Sequence, residues 1–242
     1  MIEVQNLSLS LGKREVLKGI SFSLEEGSAL GICGSMGSGK SSLLYSIKGI
    51  IPSLMPGKIC GKILVCGRNG NGLRRNVGMV FQNPNDQIFS NSLYDEVEFG
   101  LKNFGFKGED LRARTENALT QVGLLERKGD NPFELSQGQR QKLAIASVLA
   151  IEPEVILLDE PASNLDHRSS LEIYGMLSSL RDKGKTILVV EHDTDLLHGF
   201  ADKFLVLDEG KQIAFGGEEV FSHPHTAKAG VKIPWKQKAK QA

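Results

Sequence analysis

The sequence predicts an α/β fold built on a parallel sheet, and three features of it do so. Short continuous apolar runs end in polar residues, the pattern of strands covered on both faces; Val155-Ile156-Leu157-Leu158, ending in Asp159-Glu160, is the clearest. Helical and strand patterns alternate from residue 167 to residue 207. A glycine-rich loop joins the apolar run Ala29-Leu30-Gly31-Ile32 to a helical pattern at Leu43-Leu44-Tyr45-Ser46-Ile47. The 242 residues suit one large α/β domain, and 40% hydrophobic content is enough to build its core.

Taken in order, Leu7-Ser8-Leu9-Ser10-Leu11 alternates with a period of two and reads as a half-buried strand. Gly12 to Glu15 is a turn. Val16-Leu17 and Ile20-Ser21-Phe22 suggest a second strand, so a small antiparallel sheet is expected beside the glycine-rich loop. The loop reads Gly34, Ser35, Met36, Gly37, Ser38, Gly39, Lys40, Ser41, Ser42. Strand, glycine-rich loop, Lys-Ser and helix make the P-loop pattern. Its glycines permit tight backbone whose N–H groups turn inward as an anion nest, and the helix adds its positive end. Lys40 is a mobile charge for β- and γ-phosphates, and the Ser41 hydroxyl is a hard oxygen for Mg²⁺.

Pro52 and Pro56-Gly57 break the chain after that helix. Lys62-Ile63-Leu64-Val65 returns as a strand, residues 67–72 form a turn rich in Gly and Asn, and Val77 to Phe81 is the next strand, ending at Gln82. Residues 83–150 carry helical spacing and no strand pattern: 93–104, then 109–122 with Leu111, Ala118, Leu119 and Val122, then a helix capped by Ser136. They predict a helical subdomain inserted into the α/β core. Helix 167–183, strand 186–190, helix 194–200 and strand 203–207 complete the core, and Asp208-Glu209-Gly210-Lys211 turns into Gln212-Ile213-Ala214. The tail from Trp235, with Lys236, Lys238 and Lys240, is basic and poor in apolar residues; it reads as solvated chain or as a contact for anionic lipid.

Composition excludes several classes. Lys+Arg and Asp+Glu both number 29, so a broad electrostatic nucleic-acid surface is not expected. No apolar run approaches the roughly 18 residues of a membrane span. Met1-Ile2-Glu3-Val4-Gln5 lacks the basic and apolar regions of a signal peptide. Cys33, Cys60 and Cys66 lack metal-ligand spacing and suggest free thiols in a cytosolic setting, with Cys33 a packing residue.

Three predicted strand ends carry polar groups: Gln82, Asp159-Glu160 and His192. Ligands of open parallel sheets collect outside the carboxyl ends of strands. There Asp159 can hold Mg²⁺ through its water shell, while Glu160, directed to the other side, faces a water aimed at the γ-phosphate. Gln82 offers a carbonyl and an amide, and His192 an imidazole able to contact the γ-phosphate and position that water.

With these motifs in this order, the sequence resembles the nucleotide-binding subunit of an ATP-binding cassette (ABC) transporter over nearly its whole length. Residues 34–42 resemble Walker A and 155–160 Walker B. Gln82 matches the Q-loop, Leu135-Ser136-Gln137-Gly138-Gln139 the signature, Ser163-Asn164-Leu165-Asp166 the D-loop, and His192 the switch histidine. The resemblance implies a single ABC ATPase domain over residues 1–242. Its parts would be a P-loop core, an N-terminal antiparallel β subdomain, a helical subdomain at about 83–150 and a tail at about 223–242. It implies ATP and Mg²⁺ as cofactors, with the metal on Ser41, Gln82 and Asp159 and catalysis by Glu160, His192 and Gln82. It also implies a head-to-tail dimer, homomeric or heteromeric, in which Ser136, Gly138 and Gln139 reach the nucleotide of the other subunit.

Phe81-Gln82-Asn83-Pro84-Asn85-Asp86-Gln87-Ile88-Phe89 and Asp95-Glu96-Val97-Glu98-Phe99-Gly100 narrow the resemblance to the ATPases of energy-coupling factor (ECF) transporters, as does the region from Val220-Phe221 to Ile233-Pro234. That family implies uptake of a vitamin or transition-metal ion, driven from the cytoplasmic face of the membrane. The partners would be a transmembrane coupling subunit and a membrane-embedded substrate-binding subunit, with no nucleic acid. The ATPase of another ABC importer or exporter is the alternative. In the run after Gln82, Pro84 stiffens a turn, Asp86 offers a charge, and Ile88 and Phe89 offer apolar surface to a helix of the coupling subunit. Two departures stand out: Gln137 replaces the first glycine of the signature, and Leu11, with Leu9 close by, occupies the place of the aromatic that stacks on adenine.

Overall fold

The computed structural model describes residues 1–69, 76–235 and 237. Part of the turn at 67–72 and the lysines Lys236, Lys238 and Lys240 lie outside the described residues.

The chain begins with a hairpin of β1 (Ile2–Leu11) and β2 (Arg14–Leu24), then enters β3 (Ala29–Gly34), α1 (Lys40–Lys48) and the short α2 (Ile50–Ser53). β4 (Lys58–Val65), β5 (Arg68–Asn69) and β6 (Val77–Val80) follow. Next come α3 (Leu93–Asn103), α4 (Gly108–Gln121) and α5 (Gln137–Leu149), linked by short 3-10 turns. The rest is β7 (Val155–Asp159), α6 (His167–Asp182), β8 (Thr186–Val190), α7 (Thr194–His198), β9 (Lys203–Asp208), β10 (Lys211–Gly216) and α8 (Pro224–Lys228).

One sheet is antiparallel, in the order β2-β1-β4-β5; the other runs β10-β9-β3-β8-β7-β6 and is parallel except for the hairpin strand β10. The parallel sheet explains the continuous apolar runs. Leu157 of β7 faces one core, shared with the antiparallel sheet and with Leu43, Leu44 and Ile47 of α1. Ile156 and Leu158 face the other core, packed under α3, α4, α5 and α6. A strand covered on both sides has no polar face to display.

Two boundaries move. The second strand is one element of eleven residues, its register to β1 slipping at irregularities that leave Lys18 and Gly19 out of the apolar alternation. β4 starts at Lys58 rather than Lys62, because Lys58, Ile59 and Cys60 pair with Ser10, Leu9 and Ser8. Lys58, Cys60 and Gly61 are exposed, so no hydrophobic period announces that pairing. The end of the chain is tied down: Thr194 donates to the Lys232 carbonyl at 2.6 Å, Lys232 pairs with Asp195 at 2.7 Å, and the Trp235 N–H reaches Asp195 at 2.8 Å. Residues through Trp235 therefore pack onto the turn after His192. Cys33 is buried, and all three cysteines are free.

Candidate active site

The loop after β3 wraps the N-terminus of α1. Gly39 caps the helix with φ 100°, and a Cβ there would stand 2.7 Å from the Leu17 side chain. At Gly34 a Cβ would stand 2.1 Å from the Leu207 carbonyl oxygen, so no side chain fits between the loop and β9. Lys40 folds back and donates from Nζ to the carbonyls of Gly34 and Ser35, both at 2.9 Å. Burial pulls its ammonium below the usual lysine range. Ser38 is buried with no hydrogen-bond partner for its hydroxyl among the described residues, and the Ser35 hydroxyl donates to Asp208 at 3.0 Å. Met36 stands exposed above the loop.

β8 lies between β3 and β7, so Asp159 reaches the loop through α1 rather than from a neighbouring strand: Ser41 Oγ, in the first turn of α1, donates to Asp159 Oδ1 at 3.0 Å. Burial raises the Asp159 carboxyl, and the Ser41 hydroxyl offsets only part of that. A buried carboxylate and a hydroxyl, with the Gln82 amide oxygen on the same cleft, are hard oxygen donors that fit Mg²⁺. No group of three or more His, Cys, Asp or Glu side chains forms a metal cage among the described residues.

Glu160 follows with φ 49°, its N–H held by the Val190 carbonyl at 2.9 Å. That backbone turn sends its carboxylate away from Asp159 and into the cleft. Gln82 Nε2 donates to Glu160 Oε2 at 2.7 Å, and His192 Nε2 lies 3.0 Å from Glu160 Oε1. The three strand ends foreseen from the sequence thus meet on one carboxylate. The cleft measures about 510 Å³ and runs from these groups along the glycine-rich loop to Leu11.

At its far end Leu11 stands directly opposite Arg14 in the β1–β2 register, with Val16 beside them. Leu9 is fully buried and plays no part in the cleft. Arg14 and Val16 were not singled out from the sequence; the period of two across the Gly12-Lys13 turn is the signal that would have found them. Ser136, Gly138 and Gln139 lie elsewhere, at the N-terminus of α5, and do not line this cleft. Ser136 and Gln139 form a capping box: the Gln139 N–H reaches Ser136 Oγ at 3.3 Å, and the Ser136 N–H reaches Gln139 Oε1 at 3.0 Å. Gln137 is exposed.

The run after Gln82 folds back on itself. Asp86 accepts from Asn83 Nδ2 at 2.9 Å and Gln87 Oε1 accepts the Phe81 N–H at 3.2 Å, so both polar side chains serve their own turn. Ile88 is buried, unlike the expectation from the sequence; only Phe89 is exposed, edge-on to Phe99 with ring centroids 4.6 Å apart. The two rings line an apolar cleft of about 310 Å³ with Leu54, Phe104 and Ile151.

A glycine-rich loop opening a helix at the carboxyl edge of a parallel sheet, with Ser41 and Asp159 joined beneath it and Glu160 in the cleft above, defines a P-loop ATPase. Residues 17–163 match the ABC transporter family model, and the chain belongs to that family. It is 40% identical to the energy-coupling factor transporter ATP-binding protein of Methanocaldococcus jannaschii, over 90% of this chain and 80% of that protein. Its fold matches cbiO1 from Clostridium perfringens, part of the ABC transporter complex cbiONQ, with a TM-score of 0.83 and 32% identity over 100% of this chain and 98% of the other. It also matches the ATP-binding cassette MJ0796, a dimer in a post-hydrolysis state bound to ADP and Pi, with a TM-score of 0.76 and 29% identity over 90% and 98% of the two chains. The chain binds and hydrolyses ATP.

Proposed function

We propose that this chain is the ATP-hydrolysing subunit of an ECF-type uptake system, working from the cytoplasmic face of the membrane and powering entry of a vitamin or transition-metal ion through separate membrane subunits. None of the described helices is long and apolar enough to cross a membrane, so the path for solute must come from partners. The observation that carries the reading is the apolar cleft of Phe89 and Phe99, reached from Gln82 by a seven-residue turn. It lets one segment touch the nucleotide site at one end and a partner helix at the other. The ECF protein of Methanocaldococcus jannaschii and cbiO1 support it by likeness over most of the chain.

In the cycle, entry of the phosphates into the loop replaces the Gly34 and Ser35 carbonyls as partners of Lys40. Gly34, Ser35, Met36, Gly37, Ser38, Gly39 and Ser42 line the phosphate path through their backbone, and the free Ser38 hydroxyl is a further donor. Ser41, Asp159 and Gln82 hold Mg²⁺, which supplies charge neutralisation on the phosphate oxygens when bound. Glu160 accepts the proton of the attacking water, and Gln82, which donates to its carboxylate, and His192, 3.0 Å from it, orient it. A second ATPase subunit presents Ser136, Gly138 and Gln139 at the N-terminus of its α5, adding donors and the positive end of a helix to the γ-phosphate. The dimeric state of MJ0796 supports that arrangement.

The test is Phe99→Ser in the exposed rim of the apolar cleft. The isolated chain is expected to keep its melting temperature and ATPase rate, while copurification with its membrane subunits and solute uptake fall. Intact uptake and assembly would refute the docking role of the cleft. Copurified membrane proteins that lack a coupling subunit would instead place the chain with another ABC transporter.

A further inference from the structure

Glu191 is the residue between β8 and His192, and nothing in the site described above uses it. Its side chain is only 4% exposed. Each carboxylate oxygen is occupied by a backbone amide of a different loop. Oε1 accepts the Ala162 N–H at 3.0 Å, and Oε2 accepts the His192 N–H at 3.1 Å. The Glu191 N–H itself donates to the Ile32 carbonyl of β3 at 3.1 Å. One residue therefore fastens together the strand that leads into the phosphate loop, the turn that follows Glu160, and the residue that carries the imidazole.

The burial is costly for packing alone. A carboxylate away from water is penalised unless it is fully hydrogen-bonded, and an apolar side chain would fill the same space without that penalty. Two backbone N–H groups stabilise the charge incompletely, since burial pushes the carboxyl up to about 7, and Glu160 nearby adds to the rise. What the arrangement provides is distance control. Asp159 and Val190 are register partners on neighbouring strands, so Glu160 leaves the sheet level with Glu191, and His192 follows one residue later. The last strand bonds are those of the Glu160 and Glu191 N–H groups to the Val190 and Ile32 carbonyls; beyond them the Glu191 carboxylate spans the two loops.

We propose that Glu191 is a positioning residue for ATP hydrolysis, clamping the Ala162 and His192 backbones so that the Glu160 carboxylate and the His192 imidazole stay at hydrogen-bonding distance. It touches no reacting atom. The proposal rests on the reading of Glu160 and His192 as the hydrolytic pair, and the test separates the two.

Glu191→Gln keeps shape and one acceptor but turns an NH₂ group toward a backbone N–H. Measured on the full chain, kcat for ATP hydrolysis is expected to fall by about 10- to 100-fold, the scale of a small misplacement of a catalytic group. KM and the affinity for a non-hydrolysable ATP analogue are expected to stay within about twofold. The same defect arises in the wild type when Glu191 is protonated. Wild-type kcat is therefore expected to drop from pH 8 to pH 6 toward the variant's value, while the variant changes much less. The charged or titratable groups facing Glu191 are Glu160 and, from α6, the buried Tyr174 hydroxyl, while Ala162, His192 and Asp193 face it with backbone N–H groups; all persist in the variant, so the difference between the profiles reports Glu191.

A wild-type kcat in Glu191→Gln, with Glu160→Gln inactive, overturns the clamp and leaves the hydrolytic pair standing. A wild-type rate in Glu160→Gln overturns the pair itself. Parallel losses of kcat, nucleotide affinity and melting temperature in Glu191→Gln show a structural residue and overturn the proposal. Should the variant fail to fold, hydrogen exchange of wild-type Ala162 and His192 amides decides, corrected for intrinsic rates. Protection of both amides at pH 8 well above that of an open loop supports the clamp, and exchange at the open-loop rate overturns it.

Discussion

At the scale of single residues, Glu160 bears the sharpest expectation. Its carboxylate accepts a hydrogen bond from Gln82 at 2.7 Å and lies 3.0 Å from His192 Nε2. Glu160→Gln is expected to bind ATP normally and to hydrolyse it about 10²–10⁴-fold more slowly, as measured by single-turnover kinetics. Lys40→Ala should instead weaken nucleotide binding, seen by titration with a fluorescent ATP analogue. Leu11 supplies no aromatic face to adenine. Leu11→Tyr is expected to tighten ATP binding by about 1–3 kcal/mol, and the wild type to separate ATP from GTP poorly. An unchanged affinity would show that Arg14 or Val16 already covers the base. Glu191 adds a pH dependence of stability. Its carboxyl is held at about 7, above the ordinary 4.5, so the stability tied to its protonated form is full below the lower value and lost as pH rises through the upper one. The stability of Glu191→Gln relative to wild type should thus improve by on the order of 2–3 kcal/mol from pH 5 to pH 8, by denaturant titration at each pH.

At the scale of elements, β7 and the loop before α1 fail in different ways. Leu157 is fully buried between the parallel sheet and α1, and Leu157→Ala is expected to cost about 2–5 kcal/mol by denaturant melts, with ATP affinity preserved in the folded fraction. Gly39→Ala acts on geometry: the Cβ meets Leu17 and φ is 100°, so ATP binding should be lost through a distorted loop even where the chain still folds. These elements were legible because their signals are local. The glycine spacing, the apolar run of β7 and the serine cap of α5 each lie within a few consecutive residues. The early start of β4 was not legible, because exposed Lys58 and Cys60 join the sheet only through their pairing with Ser10 and Ser8. Ile88 was read as surface and is core for a similar reason: it joins the core that α5 completes, and α5 lies about fifty residues further along the chain.

At the scale of the whole molecule, the cleft is complete as far as one chain can make it, with Ser136, Gly138 and Gln139 outside it. If a second subunit supplies them, Glu160→Gln should accumulate as an ATP-dependent dimer, detected by sedimentation at several protein concentrations. A monomer at every concentration with ATP and Mg²⁺ would refute the in-trans role.

The sequence alone determined an α/β P-loop core, its resemblance to the ABC family gave the ATPase, and residue type marked Gln82, Asp159, Glu160 and His192 as the polar ends of buried strands. Those properties depend on residue type and short spacing. Only the tertiary structure decided how the ends meet. It interposed β8 between β3 and β7, carried Ser41 to Asp159 by way of α1, and turned Glu160 into the cleft between Gln82 and His192. It also showed that Glu191, one step from a motif residue and silent in the sequence, spends both oxygens on the loops around the site. Strand order and side-chain direction depend on pairings between residues far apart in the chain, which no local pattern records.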